Sequence, residues 1–292
     1  MIALRIENLK KTYRAGLFKR KKLEALKGIS IQIEEGEIFG FLGPNGAGKT
    51  TAILTMLDLI KRDSGKIFFF EKEIKNNNEM FKDIGYIPEE PYLYNYLKVE
   101  EFLYLGAKLS NFEEKNLKEK IENYLKLFNL YEKKDNIIKK LSKGQKQRVL
   151  LSLNFLIQPK ILILDEPFRG LDPVGIKRVR DEILALNKIG KTIFLSSHII
   201  SEVEMICNKI SIINNGEIVW EGNPKQIQRE RSFKVYFKMK KQSEENIIEK
   251  KFYNQDDLIQ FLKELNLTGG EIIEILQEKG LEDYFFEKIR EN

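Results

Sequence analysis

Apolar side chains fall at every second position in the opening segment, at Ile2, Leu4 and Ile6, and predict a strand over residues 2–8. The same alternation returns at Ile29, Ile31 and Ile33, and an apolar run over 38–42 gives a third strand. After Gly48 the spacing lengthens to that of a helix, with Ile53, Leu54, Leu57 and Ile60 on one face. Short strands follow over 66–70 and 84–87, then a mostly helical stretch over 98–131 and a helix over 144–157. The uninterrupted apolar run 161–164 reads as a central strand covered on both faces. A helix from Pro173, a strand over 192–195 and a helix over 200–208 continue the alternation, which implies a parallel sheet with helical crossovers. Residues 210–213 and 217–220 then form a hairpin around Asn215-Gly216.

Beyond Asn223-Pro224 the pattern changes. A strand over 233–239, amphipathic helices over 256–265 and 281–289, and a strand over 272–276 make a small α+β appendage. The expected division is therefore an α/β domain over residues 1–222, with a helical part at about 90–157, and an accessory α+β domain over 223–292.

Composition adds exclusions. The 292 residues are 42% hydrophobic and 32% charged, a globular balance. No run reaches the roughly 18 apolar residues of a spanning helix, and the N-terminus lacks the basic-then-apolar layout of a signal peptide. The expectation is a cytoplasmic protein whose membrane role, if it has one, runs through a partner. The single cysteine, Cys207, excludes an internal disulfide, and its apolar-periodic neighbours Val203, Ile206 and Ile210 make it a core residue. A net charge of +6 decides nothing, because acidic residues are interspersed almost everywhere. The basic loop 14–22, with Lys19, Arg20, Lys21 and Lys22, reads as a solvated hairpin tip, with a lipid-headgroup contact as the alternative.

Three segments carry chemistry. Gly43-Pro44-Asn45-Gly46-Ala47-Gly48-Lys49-Thr50, with Thr51 next, has four residues between two glycines and then Lys and a hydroxyl residue. This is a phosphate loop: glycines let backbone N–H groups curl around phosphate oxygens, Lys49 supplies a point charge, and Thr50 offers a hydroxyl to Mg²⁺. Its place between an apolar strand and an apolar-periodic helix is the one this chemistry requires. Asp165 and Glu166 end the apolar run 161–164, where two adjacent carboxylates repel and lose hydration unless a metal and a water use them. Asp165 is then the metal-shell ligand and Glu166 the group that orients or deprotonates water; a surface acidic turn is the alternative. Leu141-Ser142-Lys143-Gly144-Gln145 stands before a helix, where Ser142 by itself reads as a plain N-cap.

With Gln147-Arg148 following, however, that last segment is similar to the LSGGQ signature of the ATP-binding cassette family. The order of phosphate loop, signature, acidic strand end, Gly170-Leu171-Asp172 and a late histidine resembles that family from residue 1 to about 222. The resemblance implies a phosphate-loop NTPase cassette of α/β class with a helical signature subdomain and ATP and Mg²⁺ as ligands. It implies that Tyr13 stacks on adenine, that His198 contacts the γ-phosphate and Glu166, and that Asp172 couples two ATP sites. It further implies a head-to-tail homodimer in which Ser142, Gly144 and Gln145 of one subunit close on the nucleotide held by Lys49 of the other. Glu89 stands where many members carry glutamine, which makes it a third candidate metal ligand beside Thr50 and Asp165, and Lys143 replaces a signature glycine. The tail ending Leu281-Glu282-Asp283-Tyr284-Phe285 looks like the ATPase subunits of two-component exporters of drugs, lipids, polysaccharide or sodium. Those work with a separate integral membrane permease, whose coupling helix would meet the aromatic stretch 91–105 from the cytoplasmic face. No nucleic-acid partner is expected. A soluble cassette acting on ribosomes or DNA is the rival; such proteins typically carry two cassettes or long coiled-coil insertions, and this chain has one cassette and no heptad insertion.

Overall fold

The structure is a computed structural model that describes residues 1–15, 21–74, 78–112, 115–229, 232–239, 247–252, 254–278 and 281–290. The chain divides into two compact units, Met1–Glu221 and Gly222–Asn292.

In the first unit, β1 (Ile2–Ala15) and β2 (Lys21–Glu34) form an antiparallel pair, extended by β4 (Ser64–Phe69) and β5 (Lys72–Glu73) in the order β2-β1-β4-β5. The second sheet has six strands: β3 (Ile38–Leu42), β6 (Ile84–Ile87), β7 (Ile161–Asp165), β8 (Thr192–Ser197), β9 (Lys209–Asn214) and β10 (Glu217–Gly222). Their order is β10-β9-β3-β8-β7-β6, with parallel pairing from β9 through to β6. This is the parallel sheet that the alternation of strand and helix predicts. β3, β7 and β8 are buried at every position, which is why they read as continuous apolar runs rather than alternating ones.

The core lies between the two sheets. Phe39 and Phe41 of β3 and Phe194 of β8 pack ring on ring at 5.8 and 5.5 Å, in one buried cluster with Ile6, Ile31 and Phe69 of the antiparallel sheet. Helix α1 (Lys49–Met56) enters this cluster through Ala52, Ile53 and Met56 and packs against β2 and β7. Cys207 is a buried free thiol, as expected, and burial raises its pKa. It helps to explain Gly40: a Cβ there would come within 2.5 Å of Val203 and 2.9 Å of the Cys207 sulfur, so α6 (Ile200–Ile206) can approach β3 only over glycine.

A helical part stands on α2 (Val99–Leu109), α3 (Leu117–Leu127) and α4 (Lys143–Ile157), which pack on one another. Their apolar faces meet at Leu103, Ile121, Leu125 and the stacked rings of Phe128 and Phe155, 5.8 Å apart. Helix α5 (Pro173–Lys188) follows the acidic strand end. The hairpin β9–β10 turns at Asn215 and Gly216, both with positive φ, as a two-residue turn between twisted strands requires.

Two differences from the sequence expectation stand out. β1 and β2 are 14 residues each, far longer than 2–8 and 29–33, and pair through Ala15 and Lys21. Their outer halves carry Lys10, Lys11, Arg14 and Lys22, so the ladder runs on without an apolar face to mark it. Of the basic loop 14–22, Lys19, Arg20 and the rest of 16–20 lie outside the described residues, while Lys21 and Lys22 begin β2.

In the second unit, α7 (Pro224–Arg229) precedes a three-stranded sheet of order β12-β11-β13, made of β11 (Ser232–Met239), β12 (Ile248–Phe252) and β13 (Gly270–Glu278). Helix α8 (Gln255–Leu267) covers it with a small core of Val235, Phe237, Phe252, Leu258 and Leu265. Helix α9 (Leu281–Arg290) ends the described chain and packs on α7. β12 and α7 went unread in the sequence; β12 reads Ile-Glu-Lys-Lys-Phe, and only its two end residues reach the core cluster.

Candidate active site

Parallel strands deliver their C-terminal ends to one rim of the sheet, and the chemistry collects there. The loop from Gly43 to Gly48 connects the end of β3 to the start of α1. Gly48 is the N-cap of α1 with φ 109°, and a Cβ on it would lie 2.6 Å from the Ala25 carbonyl oxygen. Any larger residue would both strain the backbone and push the loop off β2. Ala47 is buried in the loop and accepts a hydrogen bond from the Gly216 N–H at 2.9 Å, so the β9–β10 turn braces it.

A cleft of about 880 Å³ opens over this loop. Pro44, Asn45, Gly46, Gly48, Lys49, Thr50 and Thr51 line it, together with Tyr13, Glu89, Glu166 and Arg169. Lys49 is 7% exposed; its Nζ donates to the Gly43 carbonyl at 2.6 Å and stands 3.3 Å from Glu166 Oε1. Tyr13 is 37% exposed and presents its ring to the cleft, with Lys11 Nζ 5.4 Å from the ring centre.

The two carboxylates that follow β7 have different environments. Asp165 is fully buried; its Oδ1 accepts from the Ser196 hydroxyl at 2.5 Å, while its Oδ2 has no hydrogen-bond partner among the described residues. Burial pushes its pKa up, opposed by hydrogen bonds from Ser196 and Thr50; the neighbouring Glu166 charge adds to the rise and Lys49 counters it. Glu166 lies in the left-handed region, φ 51°, which a non-glycine residue adopts only when its surroundings hold it there. Ser196 does so, accepting from the Glu166 N–H through its carbonyl at 3.1 Å and its hydroxyl at 3.2 Å. The twist aims the Glu166 carboxylate back over the phosphate loop. There Oε1 meets Lys49, and Oε2 meets His198 Nδ1 at 2.7 Å and accepts from the His198 N–H at 3.3 Å.

The structure does not bring every candidate to this cleft. Ser142 caps α4, accepting from the Gln145 N–H at 3.3 Å, while Gln145 Oε1 accepts from the Ser142 N–H at 2.9 Å; together they form a capping box. Asp172 caps α5, accepting from the Gly175 N–H at 2.6 Å. Gly144 and Asp172 line a separate cleft of about 210 Å³. Among the described residues, no member of the signature segment lines the cleft that holds Lys49.

Two residues that the sequence reading left without a role sit in the first contacts. Ser196 bonds both carboxylate residues; its one signal was its place two residues before His198. Arg169 forms an ion pair with Glu89 at the edge of the cleft; the one signal for it was a cation three residues after Glu166. Lys143 pairs with Glu90 at 2.9 Å, an exposed contact that lowers the Glu90 pKa.

Comparison with known proteins fits this geometry. A family model described as ABC transporter matches residues 26–169. The chain is 36% identical over 299 residues to an uncharacterised ABC transporter ATP-binding protein of Nostoc sp., covering 97% of this chain and 88% of that one. It is 34% identical over 281 residues to the bacitracin transport ATP-binding protein BcrA of Bacillus licheniformis, covering 89% and 91%. Among solved structures it is similar to an ATP-binding subunit of an ABC transporter, with TM-score 0.70 and 30% identity over 78% of this chain and 92% of that one. It is also similar to cbiO1 of Clostridium perfringens, part of the ABC transporter complex cbiONQ, with TM-score 0.64, 31% identity and coverage of 78% and 90%. A phosphate loop joined to a carboxylate pair at the rim of a parallel sheet, with these relatives, makes the chain a member of the ABC transporter family, an ATP-binding subunit of the cassette ATPase fold. Among the described residues, no helix is long and apolar enough to cross a membrane.

Proposed function

We propose that this chain hydrolyses ATP to ADP and phosphate and uses the cycle to drive export through a separate membrane permease. The observation that carries the reading is the chain of contacts from Lys49 through Glu166 to His198 over the phosphate loop, at 3.3 and 2.7 Å. Lys49 is placed to meet the β- and γ-phosphates as a charge-assisted donor. Glu166 takes the proton from the water that attacks the γ-phosphorus, and His198 holds its Oε2 in line. Tyr13 offers its exposed ring to the adenine.

The buried Oδ2 of Asp165, unpartnered among the described residues, and the Thr50 hydroxyl near the same carboxylate fit Mg²⁺, with Glu89 in the cleft lining as a further oxygen donor. When bound, the ion neutralises charge on the β- and γ-phosphates. Ser142, Gly144 and Gln145 serve the nucleotide of a second copy in a head-to-tail homodimer, a role supported by their absence from the cleft of their own Lys49.

Transport is supported by the likeness to the bacitracin transport protein, and the outward direction by the resemblance of the tail around residues 281–285 to exporter ATPase subunits. Docking on the cytoplasmic face is supported by exposed Tyr92, Tyr94, Tyr96 and Tyr104 in the stretch 91–105. Phosphate release from the purified chain, alone and in vesicles with a membrane protein that co-purifies with it, tests the reading. Stimulation of turnover by that membrane protein supports it; an unstimulated rate together with no co-purification removes the transport coupling.

A further inference from the structure

The cleft carries three carboxylates at neighbouring strand ends. β6 and β7 pair in parallel with Ile87 opposite Leu164, so Glu89, Asp165 and Glu166 all lie within two residues of the same rung. Three like charges at one rim repel unless each has its own partner. Glu166 has Lys49 and His198, and Asp165 has Ser196 and Thr50. Glu89 has Arg169, which is held in the turn after Glu166 by its own N–H donating to the Glu166 carbonyl at 3.1 Å. Both members of that pair line the cleft, with side chains 28% and 55% exposed.

We infer that Arg169 is the positioning residue for Glu89: it cancels the extra negative charge beside the phosphate loop and ties the segment entering the helical part to the turn that carries Glu166. The inference rests on the proposed nucleotide site and adds a residue to it. While Arg169 is present, the Glu89 charge is screened from an incoming triphosphate. Without it, that charge faces the phosphates directly. Once Glu89 is neutral, the more exposed Arg169 side chain is released to solvent and leaves no net charge at the cleft edge, so the effect of neutralising Glu89 depends on Arg169.

The test uses the full chain in four forms, native, Glu89→Gln, Arg169→Gln and the double variant, with metal-free ATP affinity measured by calorimetry in the presence of chelator. In the native background Glu89→Gln is expected to change affinity by less than about twofold, and in the Arg169→Gln background to tighten it by about threefold or more. An equal factor in both backgrounds overturns the pairing, since two residues without coupling act additively. Lys49→Ala measured alongside separates the two readings. If it loses ATP while Glu89→Gln acts equally in both backgrounds, the nucleotide site stands and Arg169 has no positioning role. If Lys49→Ala binds ATP as the native chain does, the nucleotide site falls and the inference falls with it.

Discussion

Glu166 and Asp165 are adjacent in sequence yet are held for opposite ends. Glu166 is twisted into the left-handed region and made to face Lys49 and His198 in the lining of the cleft. Glu166→Gln keeps the shape and removes the proposed base; phosphate release should fall at least about 100-fold while calorimetric ATP affinity stays near native. Asp165 is instead buried with one oxygen unsatisfied, a placement that opposes folding when the group is charged. Its raised pKa means that the folded chain holds the Asp165 proton more tightly than the unfolded chain does. That contribution to stability is greatest below the unfolded carboxylate value, falls as pH rises to the raised folded value, and stays unfavourable above it. Asp165→Asn should therefore raise the thermal midpoint at neutral pH, by about 2–4 °C per kcal/mol relieved, and the gain should shrink in acid. Its hydrolysis should be lost. A native-like midpoint at neutral pH would remove the desolvation argument. The sequence made both carboxylates legible because a charged pair ending an apolar strand has no structural use. It left Ser196 and Arg169 unread because a serine or an arginine at a strand or turn end is ordinary until its partner's position is known.

At the scale of elements, Ser142 carries two assignments that can be separated. It caps α4 in a reciprocal box with Gln145, and in the proposed dimer it also meets the nucleotide of a second copy. Ser142→Ala should cost about 1 kcal/mol of stability, the ordinary loss of an N-cap. Ser142→Asn keeps a capping oxygen, so its urea midpoint should stay close to native while its turnover falls. Equal turnover in Ser142→Asn and the native chain would leave the residue as a cap alone. The capping box was readable from Ser142 and Gln145 three residues apart, and so were β3, β7 and β8, whose burial on both faces writes itself as unbroken apolar sequence. The outer halves of β1 and β2 and the whole of β12 were not, because ladder hydrogen bonds between backbones leave no mark on side-chain pattern where few side chains are covered; β12 brings only Ile248 and Phe252 to its core.

For the whole molecule, the decisive fact is that one chain separates its own phosphate loop from its own signature. Lys49 lines the large cleft, and Gly144 lines a different one. If hydrolysis needs both, two copies must complete each other, and the lesions Lys49→Ala and Ser142→Arg should complement in a mixture. Each variant alone has every site damaged, one at the phosphate loop and the other at the signature. In a mixed pair arranged head to tail, the damaged loop of one copy faces the damaged signature of the other. Both lesions then fall in one site, and the second site is built from an intact loop and an intact signature. Random pairing of equal amounts makes about half of the dimers mixed, each with one sound site of two, so turnover should recover to about a quarter of native. A site completed within one chain predicts the reverse, because every mixed pair would then hold one lesion in each site and recover nothing. Turnover of the mixture, with subunit exchange verified by differently tagged copies, decides between these arrangements: recovery requires the shared site, and a verified mixed dimer as inactive as its parents overturns independent head-to-tail sites.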